Sequence, residues 1–262
     1  MSRPVPVLDY HNVTVIRKQR RVLQNLNLQV HEGQHVAILG PNGCGKSSLI
    51  KTITRELYPD PSVEDSWLEI FGQRRWNIFE LRPMLGIVSY DWVEMTRREE
   101  TSREIVLGGF HGSIGIWGNH RVTKAMERQV REVMETLEIA HLADRPTEEL
   151  SSGEARRVLI ARSLVHRPRA LIFDEPTNSL DIHATHGLRD VLRKLAGQGI
   201  TIILVTHHLP DIIPEIDRVV LLGGGRILAD GTKQDLLTSH HLGELFGTAV
   251  EVVQKDGYFH AW

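Results

Sequence analysis

"HVAILGPNGCGKSS", residues 35–48, joins an uninterrupted apolar run to a glycine-rich loop and the start of a helix-forming stretch. The loop, residues 40–48, fits the spacing G-x-x-x-x-G-K-[ST], in which glycines let successive backbone N–H groups converge on phosphate oxygens. In this pattern Lys46 reaches the outer phosphates and Ser47 places its hydroxyl on Mg²⁺. A glycine-rich turn alone is often only a turn, but a buried strand before it and a helix after it are the required context. The stretch therefore predicts a nucleotide-binding α/β fold. The residues predicted to contact the nucleotide here are Gly40, Pro41, Asn42, Gly43, Cys44, Gly45, Lys46, Ser47 and Ser48.

A pair of carboxylates ends another apolar strand further along the chain, in "RALIFDE" (169–175). At the carboxyl end of a buried strand, Asp174 is placed to hold Mg²⁺ through water, and Glu175 to orient or deprotonate the water that attacks the γ-phosphate. Two solvated acids at a strand end are the plain alternative. The phosphate loop earlier in the chain favours the catalytic interpretation.

Buried strands alternate with helices along most of the sequence, which predicts a mostly parallel sheet covered on both faces. A helix-like stretch, "SLIKTITREL" (48–57), follows the phosphate loop. The other predicted strands are "LQNLNLQV" (23–30), "LGIVSY" (85–90), "ITIILVTH" (200–207) and "IDRVVLLGGGRI" (216–227).

The stretch from about residue 91 to 165 shows no buried strand, and we interpret it as a helical lobe inserted in the core. Residues 231–262 follow the core as two short helical stretches and a hairpin that turns at Asp256-Gly257. The core itself is expected to span residues 1–230. Apolar residues at helical spacing line one face of the lobe: Val122, Met126, Val130, Val133 and Leu137.

Composition places the 262-residue chain among ordinary globular proteins, with 41% hydrophobic and 24% charged residues. A net charge of −2 gives no global field for nucleic acid, so none is expected as a partner. No apolar run approaches the ~18–20 residues that span a bilayer, and the N-terminus lacks the apolar region of a secretion signal. The single cysteine, Cys44, fits a reducing compartment. We expect a cytoplasmic protein.

A second anion cradle is predicted at "EELSSGEARRVLIARSL" (148–164), where Ser151, Ser152 and Gly153 precede a helix. Unpaired N–H groups and the helix dipole favour negative charge at such a position. Since the loop at residues 40–48 already serves one phosphate group, the sequence raises the question of which ligand the second cradle serves.

The combination and order of these motifs resemble the nucleotide-binding domains of ABC ATPases over residues 5–230. "GPNGCGKSS" is similar to the Walker A loop and "ALIFDE" to Walker B, while "LSSGE" (150–154) is similar to the signature LSGGQ. The D-loop matches "NSLD" with Ser179 and Asp181, and His207 matches the switch histidine. The resemblance implies a P-loop NTPase fold with a mostly parallel sheet core, an antiparallel β subdomain and an inserted helical lobe.

The resemblance also answers the question about the second cradle. In this family two chains pack head to tail with two ATP molecules between them, and the signature of one chain completes the site of the other. It implies that Ser151, Ser152, Gly153 and Glu154 contact the partner's ATP, with Mg²⁺ held by Ser47 and Asp174. Lys46, Glu175 and His207 are the catalytic residues that it implies.

Three motifs depart from the family pattern. Ser152 stands where glycine is usual and Glu154 where glutamine is usual, while Gly153 is retained. The aromatic residue that stacks on adenine is replaced by Ile16-Arg17, where Arg17 either stacks its guanidinium plane on the base or is a solvated loop residue. "GIVSYDWVEM" (86–95) lacks the usual glutamine, for which Asp91 or Glu94 is a partial substitute.

Two local features leave alternatives open. Cys44 is either a tolerated small residue or a thiol made acidic by Lys46 and the helix N-terminus. "GFHGSIGIWG" (109–118) is either a flexible loop or a partner contact, and it is similar to a stretch in a subgroup associated with metal and molybdate uptake.

The sequence is therefore interpreted as an Mg·ATP-dependent ATPase subunit that dimerises and powers a separate transmembrane permease, as an importer, from the inner face of the cell membrane. One alternative is a soluble ABC ATPase acting in DNA repair or on ribosomes, and another is a nucleotide-gated regulatory module with little turnover. The transported substrate is not encoded in this chain's motifs.

Overall fold

The computed structural model describes residues 5–89 and 99–262, which form two compact units. The first unit contains the described residues up to Ile78 together with Ala196–Trp262, and the second contains those of Phe79–Leu195. Asp91 and Glu94 lie outside the described residues. The predicted boundaries at residues 91, 165 and 230 stay predictions.

An antiparallel three-stranded sheet opens the first unit, which confirms the β subdomain. Strand β1 (Leu8–Arg17) lies between β2 (Arg20–Val30) and β4 (Trp67–Ile70). Lys18 and Gln19 connect β1 to β2 with φ angles of 46° and 64°. Two left-handed residues in a two-residue connection match the right-handed twist of a hairpin.

Parallel strands of the first unit position the phosphate loop. Strand β3 (Val36–Leu39) pairs in parallel with β7 (Thr201–Thr206) on one side and β8 (Arg218–Gly223) on the other. All residues of β3 and β7 are buried, as expected for strands covered on both faces. Strand β9 (Arg226–Thr232) runs antiparallel to β8.

Helix α1 (Lys46–Ile53) follows β3 and differs from the predicted stretch 48–57 at both ends. It starts within the phosphate loop at Lys46, because Gly45 is the last loop residue with a left-handed φ. It stops at Ile53, and Arg55 then adopts a left-handed φ of 62° that no helix continues through.

The second unit joins two parallel strands to a set of helices. Strand β5 (Leu85–Ser89) pairs in parallel with β6 (Ala170–Asp174). Between residues 99 and 165 the described chain forms helices and no strand, as predicted for the lobe. The helices of this unit and of its junction are α2 (Ile78–Leu81), α3 (Ser102–His111), α4 (Lys124–Thr136), α5 (Ser152–Leu164) and α6 (Ile182–Gly197).

The predicted apolar face of the lobe is confirmed on α4 except at its start. Val130, Val133 and Leu137 are buried, and Met126 is half-buried. Val122 is 37% exposed and precedes Thr123, whose side chain accepts a hydrogen bond from the backbone of Met126 and caps the helix. The inclusion of Val122 was wrong, because the helix begins after its cap.

The C-terminal segment has the form that the sequence predicts. Strands β10 (Val252–Lys255) and β11 (Tyr258–Ala261) form a hairpin, with Asp256 at a φ of 52° and Gly257 at 82°. Both left-handed conformations belong to a two-residue turn of the Asp-Gly type. The helices before the hairpin are α7 (Lys233–Leu236) and α8 (Ser239–Phe246).

Candidate functional site

The phosphate loop ends in glycines that hold conformations other residues avoid. Gly43 has a φ of 79° and Gly45 a φ of 116°, and α1 starts directly after Gly45. Within the described chain no side chain caps α1, and its first turn contains no acidic residue. The N–H groups of that turn are therefore available to an anion rather than to an internal cap.

Close packing of the loop also demands glycine. A Cβ on Gly40 would lie 2.2 Å from the carbonyl oxygen of Leu222, and one on Gly45 would lie 2.9 Å from that of Val22. Any larger residue would displace the backbone that forms the cradle. The loop therefore fits a phosphate group, since its backbone is held at the close approach that phosphate binding requires.

Lys46 and Ser47 have the exposures that their predicted roles require. The Lys46 side chain is 7% exposed, and its Nζ donates hydrogen bonds to the carbonyl oxygens of Gly40 at 2.7 Å and Pro41 at 3.1 Å. The ammonium group therefore lies over the loop. Ser47 is exposed on the first turn of α1, where its hydroxyl can serve as the oxygen ligand that Mg²⁺ prefers.

Cys44 is enclosed by the loop. Its side chain is only 4% exposed, and its Sγ lies 2.6 Å from the place that a Cβ on Gly40 would occupy. The backbone of Cys44 accepts a hydrogen bond from Gly225 at 2.8 Å. This burial favours the first alternative, a small residue that fills the loop, because a reactive thiol needs solvent access.

His207 follows directly from the strand beside the phosphate loop. Leu39 pairs with Thr206, and the N–H of Gly40 donates to the Thr206 carbonyl at 3.3 Å. The Thr206 hydroxyl donates to Asp211 at 2.8 Å and accepts from the His208 backbone at 3.0 Å. These bonds fix the turn and hold the backbone of His207 next to the start of the loop.

Arg17 lies at the end of β1, exposed, and pairs in register with Arg20 across the hairpin turn. The neighbouring part of β2 packs on the phosphate loop, where the Val22 carbonyl contacts Gly45. The hairpin that carries Arg17 therefore reaches the phosphate loop through Val22 of β2. The first unit thus contains the phosphate loop, His207 and Arg17, with His207 next to the start of the loop.

In the second unit, the carboxylates of Asp174 and Glu175 end strand β6. Both residues are half-buried, and Glu175 adopts a left-handed φ of 47°. Non-glycine residues in this region cost about 1–3 kcal/mol and cluster at functional positions. The N–H of Asn178 donates to the Glu175 carbonyl at 3.2 Å, which begins the turn that follows.

The predicted D-loop residues shape the start of α6. Ser179 has a φ of 62°, which reverses the chain after Asn178. An Asp181 carboxylate oxygen accepts a hydrogen bond from the backbone N–H of Ala184 at 2.7 Å. Asp181 is therefore the N-terminal cap of α6 in addition to any role toward a nucleotide.

The signature departure at Glu154 has a structural explanation. Ser151 caps α5, where its hydroxyl accepts from the Glu154 N–H at 3.3 Å and its own N–H donates to the Glu154 carboxylate at 2.8 Å. This reciprocal pair is a capping box, which glutamate and glutamine both form. Partial burial alone would raise the pKa of Glu154, but the hydrogen bonds with Ser151 and the charge of Arg145 hold it below its usual value.

The retained glycine of the signature is tightly packed within the second unit. A Cβ on Gly153 would lie 2.9 Å from the Cβ of Ala184 on α6. The start of α5 and the start of α6 therefore meet at a contact that allows no side chain at residue 153.

Sequence reasoning missed Arg156. Its side chain is 1% exposed, and its Nη2 donates to the carbonyl oxygen of Asn178 at 3.3 Å. It therefore links the signature helix to the turn after Glu175. The available signal was helical spacing, because Leu159 and Ile160 place Arg156 on the apolar side of α5.

Across residues 5–89 and 99–262, no helix is both long and apolar enough to cross a membrane.

Comparison with known proteins gives consistent relatives. Residues 23–178 match the family model described as ABC transporter. The chain is 32% identical to a hemin import ATP-binding protein of Hahella chejuensis, over 89% of this chain and 90% of that protein. It is 33% identical to a cobalt import ATP-binding protein of Rhodobacter capsulatus, over 83% and 75% of the two chains.

The fold also matches a solved structure, cbiO1 of Clostridium perfringens, described as part of an ABC transporter complex. The TM-score is 0.75 with 27% identity, and the match covers 91% of this chain and 93% of that chain. Together with the motif order, these similarities fix the family. The chain belongs to the ABC transporter family and is an ATP-binding subunit that hydrolyses ATP.

Proposed function

We propose that two copies of this chain bind two Mg·ATP head to tail and drive a separate membrane permease. The observation that carries the proposal is the start of α5. There the capping box engages the N–H groups of Ser151 and Glu154, and the backbone N–H groups of Ser152 and Gly153 are the ones that suit a phosphate. The phosphate loop of the same chain already forms one complete cradle, so the second cradle suits the γ-phosphate of a partner's ATP.

The chain's own residues divide the chemistry among them. Lys46 and the loop N–H groups bind the phosphates, while Ser47 and Asp174 are the residues that would hold Mg²⁺. An ion held there would supply positive charge that offsets the charge developing on the phosphates. Glu175 orients the attacking water and accepts its proton, and His207 donates a hydrogen bond toward the γ-phosphate.

Import is the direction that we propose for transport. Two of the relatives carry import in their names, one for hemin and one for cobalt. We propose that the transport path belongs to a separate permease, which this chain engages from the cytoplasmic face. We propose no nucleic acid as a partner, consistent with the net charge of −2.

Affinity purification from the native membrane tests the proposal. We expect a tagged chain, extracted in mild detergent, to carry an integral membrane protein with it and to hydrolyse ATP in that complex. The Lys46→Ala variant should carry the same membrane protein without hydrolysis. Recovery of the wild-type chain with ribosomes or DNA, and without any membrane protein, would refute the proposed function.

A further inference from the structure

A cleft of about 560 Å³ lies in the first unit, beside the antiparallel sheet and apart from the phosphate loop. It is formed by the segment after α1 and by the residues around β4. Its lining is basic and aromatic: Arg55, Tyr58, Ser66, Arg74, Arg75 and Trp76 are the residues that matter below. The cleft shares no residue with the ATP site.

The charge of the cleft is positive although the chain as a whole is slightly acidic. No carboxylate belongs to its described lining, which contains three arginines. Arg74 is neutralised, because its Nε bonds Glu69 at 3.1 Å and its guanidinium lies over Trp67 at 4.8 Å. Arg55 and Arg75 supply the remaining positive charge, which favours an anionic ligand.

Two buried polar atoms of the lining lack a hydrogen-bond partner among the described residues, namely Nε of Arg55 and Oγ of Ser66. Nη2 of Arg55 donates a hydrogen bond to the carbonyl oxygen of Gln73 at 3.4 Å, so Nε remains as a donor. Buried donors without acceptors are uncommon and costly in folded proteins. An oxyanion in the cleft would accept from both groups.

The aromatic side chains add flat surfaces beside these donors. Tyr58 is 64% exposed, and Trp76 is half-buried with its indole N–H bonded to the Ile70 carbonyl at 2.7 Å. Trp67 is already engaged, since it stacks on His11 at a centroid distance of 5.1 Å. Exposed rings next to arginines are the groups that stack on nucleobases.

We propose that this cleft binds a mononucleotide, with its phosphate on Arg55, Ser66 and Arg75 and its base against Tyr58 and Trp76. The site is additional to the ATP site. Arg55 is the second residue after the end of α1, and the N-terminus of α1 carries the phosphate loop. A ligand bound in the cleft would therefore act on α1, the helix that begins with Lys46.

Calorimetric titration with AMP and with GMP tests the proposal in a Lys46→Ala background, which weakens nucleotide binding at the phosphate loop. We expect saturable binding that Arg55→Gln weakens at least tenfold and Arg75→Gln weakens several-fold. Arg131→Gln, an exposed arginine of α4, is the matched control and should bind as the background does. Circular dichroism melting confirms that each variant is folded.

Two further arms define the ligand class. Inorganic phosphate and adenosine, titrated separately, should each bind at least tenfold more weakly than AMP. Binding of phosphate as tight as that of AMP would overturn the role of the rings. No binding of either nucleotide at millimolar concentration, or equal AMP binding in the Arg55→Gln and control variants, would overturn the site.

Discussion

Gly153 and Ala184 meet so closely that a Cβ on Gly153 would lie 2.9 Å from the Cβ of Ala184. The glycine of the signature is therefore required by packing within its own chain, and not only by a partner's nucleotide. A substitution at residue 153 consequently tests two things at once, unless the contact with Ala184 is relieved.

A double-mutant cycle separates these two effects. We expect Gly153→Ala to destabilise the fold by about 1–3 kcal/mol through overpacking, after allowance for helix propensity. Ala184→Gly removes the opposing methyl group, so the double variant should be more stable than the sum of the single variants by about 0.5–3 kcal/mol. Urea unfolding measures all four free energies. Strict additivity would show that the two residues do not press on each other.

Glu154 makes the stability of the chain depend on pH in acid. Its folded pKa is depressed, so the charged carboxylate stabilises the protein above its unfolded pKa of about 4.3, and that stabilisation is lost as the pH falls through the lower folded pKa. We expect Glu154→Gln, which keeps the capping box, to cost about 0.3–1 kcal/mol at pH 7. The difference from wild type should disappear at the acid end of a urea-unfolding series. A deficit that is constant down to pH 3 would contradict this account.

Glu175 is expected to act in hydrolysis rather than in binding. Glu175→Gln keeps the size and the backbone conformation but removes the base, so kcat should fall by about 10²–10⁴-fold while ATP affinity is retained. A coupled phosphate-release assay and equilibrium ATP binding measure the two quantities. Glu135→Gln, on the exposed side of α4, is the control and should turn over normally. Near-normal turnover of Glu175→Gln would remove the residue from this role.

Arg17 is the predicted adenine contact, with a solvated loop residue as the alternative. If its guanidinium stacks on the base, Arg17→Ala should weaken ATP binding by about 0.5–2 kcal/mol and Arg17→Tyr should restore it. Arg20→Ala, its partner across the hairpin turn, should have little effect. Fluorescent ATP titration measures the three affinities. Unchanged binding in Arg17→Ala would show that Arg17 is a solvated loop residue.

Elements with a regular pattern or a strict motif were predictable from the sequence. The phosphate loop, the buried strands β3, β6 and β7, and the Asp256-Gly257 turn all follow from local chemistry. Strand β1 shows no regular pattern in the sequence, because its pairing with β2 contains several register shifts, which break the alternation of buried and exposed residues. Strand β4 is only four residues long and has no clear pattern.

Contacts between distant parts of the chain were not predictable. By contrast, the capping box of Ser151 and Glu154 is a local feature, because it lies within four residues and has a known sequence signature. The contact of Gly153 with Ala184 and the bond from Arg156 to Asn178 depend on how helices α5 and α6 pack, which no local pattern specifies. The same limit applied to Cys44, whose burial depends on the position of Gly40 in the folded loop.

A mixed dimer tests the central claim, that the signature of one chain completes the ATP site of another. One chain carries Lys46→Ala, and the other carries Gly153→Asp with Ala184→Gly, which relieves the internal contact. Both carry Glu175→Gln to retain ATP, and each has a different tag. In the heterodimer, one site then combines an intact phosphate loop with the intact signature of its partner.

The measurement is the amount of ATP tightly retained in the isolated heterodimer. Each homodimer has two damaged sites and should retain none. The account predicts about one ATP per heterodimer, because only a composite site restores an intact pair. No retained ATP, with both chains folded and paired, would contradict the claim, since a signature that served its own chain would leave every site damaged.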